Sequence, residues 1–266
     1  MIPGKETYSN SLDSVFSQAH NSNQIHSVSC IDFINAILYV INASCIFKHC
    51  SFRDSQIVMN GTSNTTNVFL DSQWTGQQNL SIIIENFRMV YFSRGKFINI
   101  EHSKHQVLFL RKNREVFMKD CLFRKISKCV MLAEESDFIY FNNIITRDIN
   151  SAGPTIEIHR KPLFLLKKAK LLILTQSHFS NIKFSTMRFL GIADLRLSNL
   201  TFFSCICPFR IVIFLNKFNI KVLLSKSNFT SCLCQFSGGS IAITLMNNAN
   251  VTRGTQSLPS NGNVYT

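Results

Sequence analysis

The feature that most constrains this 266-residue chain is a phased repeat: two alternating apolar residues stand seven and five positions before an aromatic. The fullest copy runs from Val222 to Ile243. Val222 and Leu224 alternate, Ser225 to Asn228 form a polar corner, and Phe229 and Cys232 follow as inward residues. Gly238-Gly239 then turns the chain into a second alternation, Ile241 and Ile243. Short apolar alternations read as strands, and polar or glycine clusters as turns. The same spacing recurs at Phe202 (Leu195, Leu197), Phe179 (Leu172, Leu174), Phe123 (Val116, Met118) and Phe87 (Leu80, Ile82). Ile144 and Phe47 fit it by half, through Ile139 and Val40.

Successive origins lie 40, 36, 21, 35, 23 and 27 residues apart. The short gaps suit one coil of three short strands, and the long ones need an inserted loop or a further coil. Self-similarity at this period is the signature of a solenoid. The expected fold is all-β: a right-handed parallel β-helix of roughly eight to ten coils, with Phe87, Phe123, Phe179, Phe202 and Phe229 in one internal stack. Leu195-Arg-Leu197-Ser-Asn-Leu200 is the one stretch that suggests a leucine-rich-repeat solenoid instead. Residues 1–25 are polar, and Ser11 to His20 reads as a short helix that would cap the first coil through Leu12, Val15 and Phe16. Residues 26–246 form the β-helix, and 247–266 read as a flexible tail. Because that tail is poor in apolar residues, the last coil, near Ser240 to Met246, is expected to self-associate or to continue into further chain.

Composition supports a continuous core: 45% of residues are apolar, with 24 Phe. A charge of +13 on a chain with only 16% charged residues is a basic excess. Its plain reading is solvation of outer strand faces, and its sharper one is attraction to a polyanion such as an acidic glycan. No nucleic-acid-binding motif is present. The N-terminus lacks the apolar run of a signal peptide, and Leu163 to Leu174 is broken by Lys167, Lys168 and Lys170, short of the ~20 apolar residues of a membrane span. On its own residues the chain reads as cytoplasmic.

Phe229-Thr-Ser-Cys232 followed by Gly238-Gly239-Ser240-Ile241, with upstream Phe179-Ser-Asn-Ile182, Phe202-Phe-Ser-Cys205 and Phe47-Lys-His-Cys50, resembles polymorphic outer-membrane proteins and their relatives on protist cell surfaces. The resemblance covers most of residues 40–245. It implies the pectin-lyase-like fold, a place at the cell surface or outside the cell, and adhesion through an extended face. An acidic glycan or another surface protein is then the expected partner. The alternative on the same fold is a polysaccharide-active enzyme, either pectate-lyase-like or a glycoside hydrolase.

Such an enzyme needs clustered carboxylates. The 15 Asp and Glu are scattered, and the closest group, Glu134-Glu135-Ser-Asp137, reads as a solvated turn between strands. His102, His105, His159 and His178 fall in different registers. No catalytic, cofactor or metal site is expected. Cys205 and Cys207 occupy the positions of Cys232 and Cys234 one coil on, ~4.8 Å away in a parallel sheet. A buried thiol ladder is the first reading, disulfides the second and a zinc site a distant third. Seven N-x-S/T sequons, at Asn42, Asn60, Asn64, Asn79, Asn199, Asn228 and Asn250, lean towards an extracellular role. At Asn199 and Asn228 a stacked corner asparagine is an equal reading.

Overall fold

A computed structural model describes residues 6–9, 13–17, 25–76, 80–100, 107–127, 130–149, 162–183, 186–205, 209–214, 221–232 and 241–246. Its strands pair in parallel throughout, and the described residues contain no helix. The chain is a parallel β-solenoid. One sheet takes a single strand from each winding: Glu6–Ser9, Ile31–Ile34, Ser51–Arg53, Gln73–Gly76, Lys96–Ile100, Leu122–Ile126, Ile145–Ile149, His178–Ile182, Thr201–Cys205 and Asn228–Thr230. The other two strand segments of each winding belong to a 17-stranded sheet. Met131–Asn142 and Phe164–Thr175 run through both segments as unbroken 12-residue strands. About seven turns carry all three segments with their side chains described, from Ile31 to Ser198, and further strands continue the pairing at both ends. The leucine-rich-repeat alternative fails, because Asp194–Ser198 pairs as a parallel strand on both sides and no helix returns the chain among the described residues.

Two aromatic ladders fill the interior. In the ten-stranded sheet Phe33, Phe52, Trp74, Phe97 and Phe123 occupy one register, with centroids 4.9, 5.6, 4.4 and 4.6 Å apart and near-parallel planes. Thr146 takes the next place, and Phe179, Phe202 and Phe229 resume the stack at 4.7 and 5.1 Å. Phe164, from the opposite sheet, meets Phe123 at 5.4 Å and Phe179 at 6.3 Å, edge to face, over the space that Thr146 leaves. The second ladder, Phe47, Phe69 and Phe92, stacks at 5.1 and 4.8 Å and meets the first edge-on. Offset-stacked and T-shaped contacts suit the ring quadrupole, so the two ladders lock the sheets together.

Phe87 is not in the stack; Phe97 holds that register against Phe123. Phe87 is buried at the corner after Ser81–Glu85, where its N–H donates to Asn113 Oδ1 at 3.0 Å. The helix expected over Ser11 to His20 is also corrected: Asp13–Ser17 is a strand in register with Ile37–Ile41. Glu6–Ser9 likewise pairs with Ile31–Ile34, so solenoid pairing begins before residue 26. Pairing with the next winding gives these short segments backbone partners along one edge, whereas an isolated one- or two-turn helix is only marginally stable. Asn247–Thr266 lie outside the described residues.

Corners are made by residues in the left-handed region. One column runs Cys30, His49, Asp71, Arg94, Asp120, Asn143, Gln176, Asn199 and Lys226, all with φ between 48° and 58°. From Cys30 to Asn199, each of their N–H groups donates to a carbonyl of the next winding, as Arg94 does to Lys119 O at 3.0 Å. That bond offsets the cost of αL for a residue with a Cβ. Beside this column Ser72 and Ser177 use their hydroxyls to hold the N–H groups of Cys50 and Ile144.

Candidate binding face

Strand alternation sends every second side chain outward. On the 17-stranded sheet these outward places are apolar far more often than a solvated face requires. In the first segment they form the row Tyr39, Val58, Ile83, Phe109, Leu132 and Leu165, six windings in register. In the second they form Ile46, Val68, Tyr91, Phe117, Tyr140 and Ile173. Most are half-buried, and Leu132 retains only 9% of its surface. The rings of the second row meet edge to face, Tyr91 to Phe117 at 6.2 Å and Phe117 to Tyr140 at 6.3 Å, and Phe138, one outward place earlier, meets Phe117 edge to face at 5.5 Å.

Charged side chains border these rows. Glu134 lies between Arg111 (3.4 Å) and Lys167 (3.8 Å), Glu135 meets Lys168 at 3.2 Å, and Asp137 meets Lys170 at 2.8 Å. These carboxylates therefore sit within the Met131–Asn142 strand rather than in a turn between strands, and each faces a cation on the neighbouring winding. The Lys168 hydrogen bond holds the Glu135 carboxyl below its ordinary pKa, and Arg94 does the same to Asp71 through a bidentate contact at 2.6 and 2.8 Å. Arg88 and Arg114 stand exposed at the corner before the second row and have no ion-pair partner among the described residues.

The described cysteines serve as corner and core groups. Cys50, Cys121 and Cys205 each direct Sγ at a carbonyl two residues back and at one in the preceding winding; for Cys205 these are Phe203 O and Phe179 O, both at 3.4 Å. Burial pushes the Cys45 and Cys121 thiols up to about 12. Cys205 and Cys232 are free thiols on adjacent windings, and Cys232 Sγ points at Thr230 O at 3.4 Å. Their mutual interaction lowers the pKa of the half-buried Cys232 and raises that of Cys205. Cys207 and Cys234 lie outside the described residues. Among the described residues no three His, Cys, Asp or Glu side chains gather as a metal-ligand set.

The sequons at Asn42, Asn60, Asn64, Asn199 and Asn228 are exposed, while Asn79 and Asn250 fall outside the described residues. Asn60 Oδ1 accepts from Asn86 Nδ2 at 2.8 Å, which makes it part of a corner ladder. His178 is exposed on the ten-stranded sheet beside Ile145 and Thr201. His102, His105 and His159 are not among the described residues.

The fold and this face define a parallel β-solenoid with an apolar, cation-bordered outer surface. No protein-family model, no curated protein and no solved structure matches the chain. Sequence reasoning missed the outward aromatics. Their signal was the residue between two inward ones: Phe117 between Val116 and Met118, and Tyr140 between Ile139 and Phe141.

Proposed function

We propose that this chain is a non-enzymatic binding protein that presents the outer face of its 17-stranded sheet to a partner at or outside the cell surface. The observation that carries the reading is the pair of outward apolar rows running unbroken through six windings. An outward-facing apolar strip of this length, rimmed by charge, is how an interaction surface differs from ordinary solvated protein. The rim favours binding over polysaccharide cleavage, because Glu134, Glu135 and Asp137 are engaged by Arg111, Lys167, Lys168 and Lys170. The surface placement follows the resemblance to polymorphic outer-membrane proteins and belongs to the same proposal.

The test is binding of the labelled full chain to intact cells, beside a double variant with Val68→Glu and Phe109→Glu. Both positions point outward, so the fold should survive and cell binding should fall. Equal binding by the two proteins contradicts the reading, as does release of new reducing or unsaturated ends from an acidic polysaccharide.

A further inference from the structure

We propose that the first-segment face of the 17-stranded sheet binds a second copy of this chain, with the two solenoids running antiparallel and their strands aligned. The assignment rests on the binding-face reading above and names the partner of that segment. Two outward rows make up the face. One is apolar, Val58, Ile83, Phe109, Leu132 and Leu165, and ends on Arg188 of the next winding. The other lies two residues further along each strand and runs Asn60, Glu85, Arg111, Glu134, Lys167 and Leu190. From Glu85 to Lys167 its charge alternates, negative then positive, over four successive windings.

Such a row complements itself only when reversed. A two-fold axis along the strands, passing between the windings of Phe109 and Leu132, lays Arg111 on Glu134 of the second copy and Glu85 on Lys167, each contact made twice. The same operation lays Phe109 on Leu132, Ile83 on Leu165, and the stem of Arg188 over Val58. At the corner beside the row, Lys112 meets Glu135 and Asn86 faces Lys168. Past that corner Arg114 meets Asp137, and Arg88 meets Lys170 as the one like-charged pair. Solenoids running the same way, with the charged rows superposed, would set each of the four residues against its own kind. Within the chain Glu134 already lies 3.4 Å from Arg111 and 3.8 Å from Lys167, but a carboxylate has about four lone-pair sites and accepts a further cation. The row from Glu85 to Lys167 sums to zero in a chain of +13, so here a second, equally basic copy approaches without net repulsion from the strip it meets. Six windings at ~4.8 Å, and five-residue strands with their corner at ~3.3 Å per residue, give a face of ~29 by ~20 Å. Two copies then bury on the order of 1,000 Å² in total, the lower bound for a specific interface, so the dimer is weak, with dissociation on the order of micromolar.

The experiment is sedimentation equilibrium of the full chain over about a hundredfold range of concentration, beside Arg111→Glu, Glu134→Arg and an equimolar mixture of these two variants. Surface ion pairs add little to folding, and circular dichroism with the thermal midpoint checks that both variants keep the fold. The expected result is a monomer–dimer equilibrium that goes no further, because an isologous contact closes on two copies. Each variant alone sets like charges together at both contacts and should weaken the dimer at least roughly tenfold. The mixture should restore it: Arg111→Glu of one copy then faces Glu134→Arg of the other, and native Glu134 faces native Arg111. A variant that merely misfolds is not rescued in this way. Dimers indifferent to both variants, a mixture no better than the variants alone, or association beyond two copies would overturn the assignment. So would a chain that stays monomeric throughout. If cell binding nonetheless falls in the Val68→Glu, Phe109→Glu protein, the binding face stands and its partner is another molecule; if it does not fall, the binding face is wrong as well.

Discussion

Thr146 is the one interruption between Phe33 and Phe229 in the inner ring column, and it shows what each member contributes. Its hydroxyl is buried without a hydrogen-bond partner, under the edge-on ring of Phe164. Thr146→Val keeps the shape and removes the orphaned group, so it should raise stability by about 1 kcal/mol in chemical denaturation. Phe179→Ala, in the same column and fully buried, should lower it by about 3–5 kcal/mol. A smaller loss at Phe179 than gain at Thr146 would mean that the column does not bear the core. At the thiols, alkylation near neutral pH followed by peptide mass spectrometry should label Cys232 before Cys45, Cys50 or Cys121, because the interaction with Cys205 favours the Cys232 thiolate while burial disfavours the others. Labelling of Cys121 first would contradict this geometry. Phe123, Phe179, Phe202 and Phe229 were legible in the sequence because each follows a strand of the second segment by one fixed corner. Phe87 met the same spacing from a strand of the first segment, Ser81–Glu85. Every winding has several corners of similar sequence, and spacing alone does not say which one a ring follows.

At the scale of strands and corners, close approach between windings sets the tolerances. A Cβ on Gly61 would lie 2.6 Å from the Phe87 ring and would also collide with Thr65 Oγ1. Phe87 is buried and Thr65 Oγ1 is bonded to Thr62, so neither can retreat cheaply. Gly61→Ala should therefore destabilise by about 1–3 kcal/mol and lower the thermal midpoint; an unchanged midpoint would show a looser corner. The ion-paired carboxylates give a pH dependence of known sign. Asp71 and Glu135 have folded pKa values below their ordinary ones, so their stabilisation is present above the ordinary carboxylate pKa and is lost as pH falls through the folded value. Both are half-buried at the surface with exposed partners, so the effect should be small and should shrink with added salt. A denaturation midpoint that rose on acidification through pH 4 would contradict it. Strand positions were readable from apolar alternation, but corners were less so. Sequence reading looks for Gly and Pro, whereas Asp71, Arg94, Asn143 and Gln176 turn this chain because the next winding accepts their N–H groups. That support is tertiary, and it leaves no local mark.

For the whole molecule, the repeat announced a solenoid because a short unit that cannot bury its own apolar face must stack. The outer face was harder to read. Inward and outward apolar residues look alike in a sequence, and only the register separates Phe117 and Tyr140 from the core residues beside them. Both the core ladders and the binding face require that windings distant in sequence succeed one another at a constant rise. Arg53, Arg147 and Phe203 are exposed outward residues of the ten-stranded sheet, in strands that lie four and then two further steps apart. Spin labels replacing Arg53 and Arg147 should give a narrow distance near ~19 Å, and labels at Arg53 and Phe203 one near ~29 Å, at ~4.8 Å per step. Two narrow distributions in that ratio are the result this account predicts. Broad distributions, or distances unrelated to the number of strand steps, would contradict the solenoid and the face built on it.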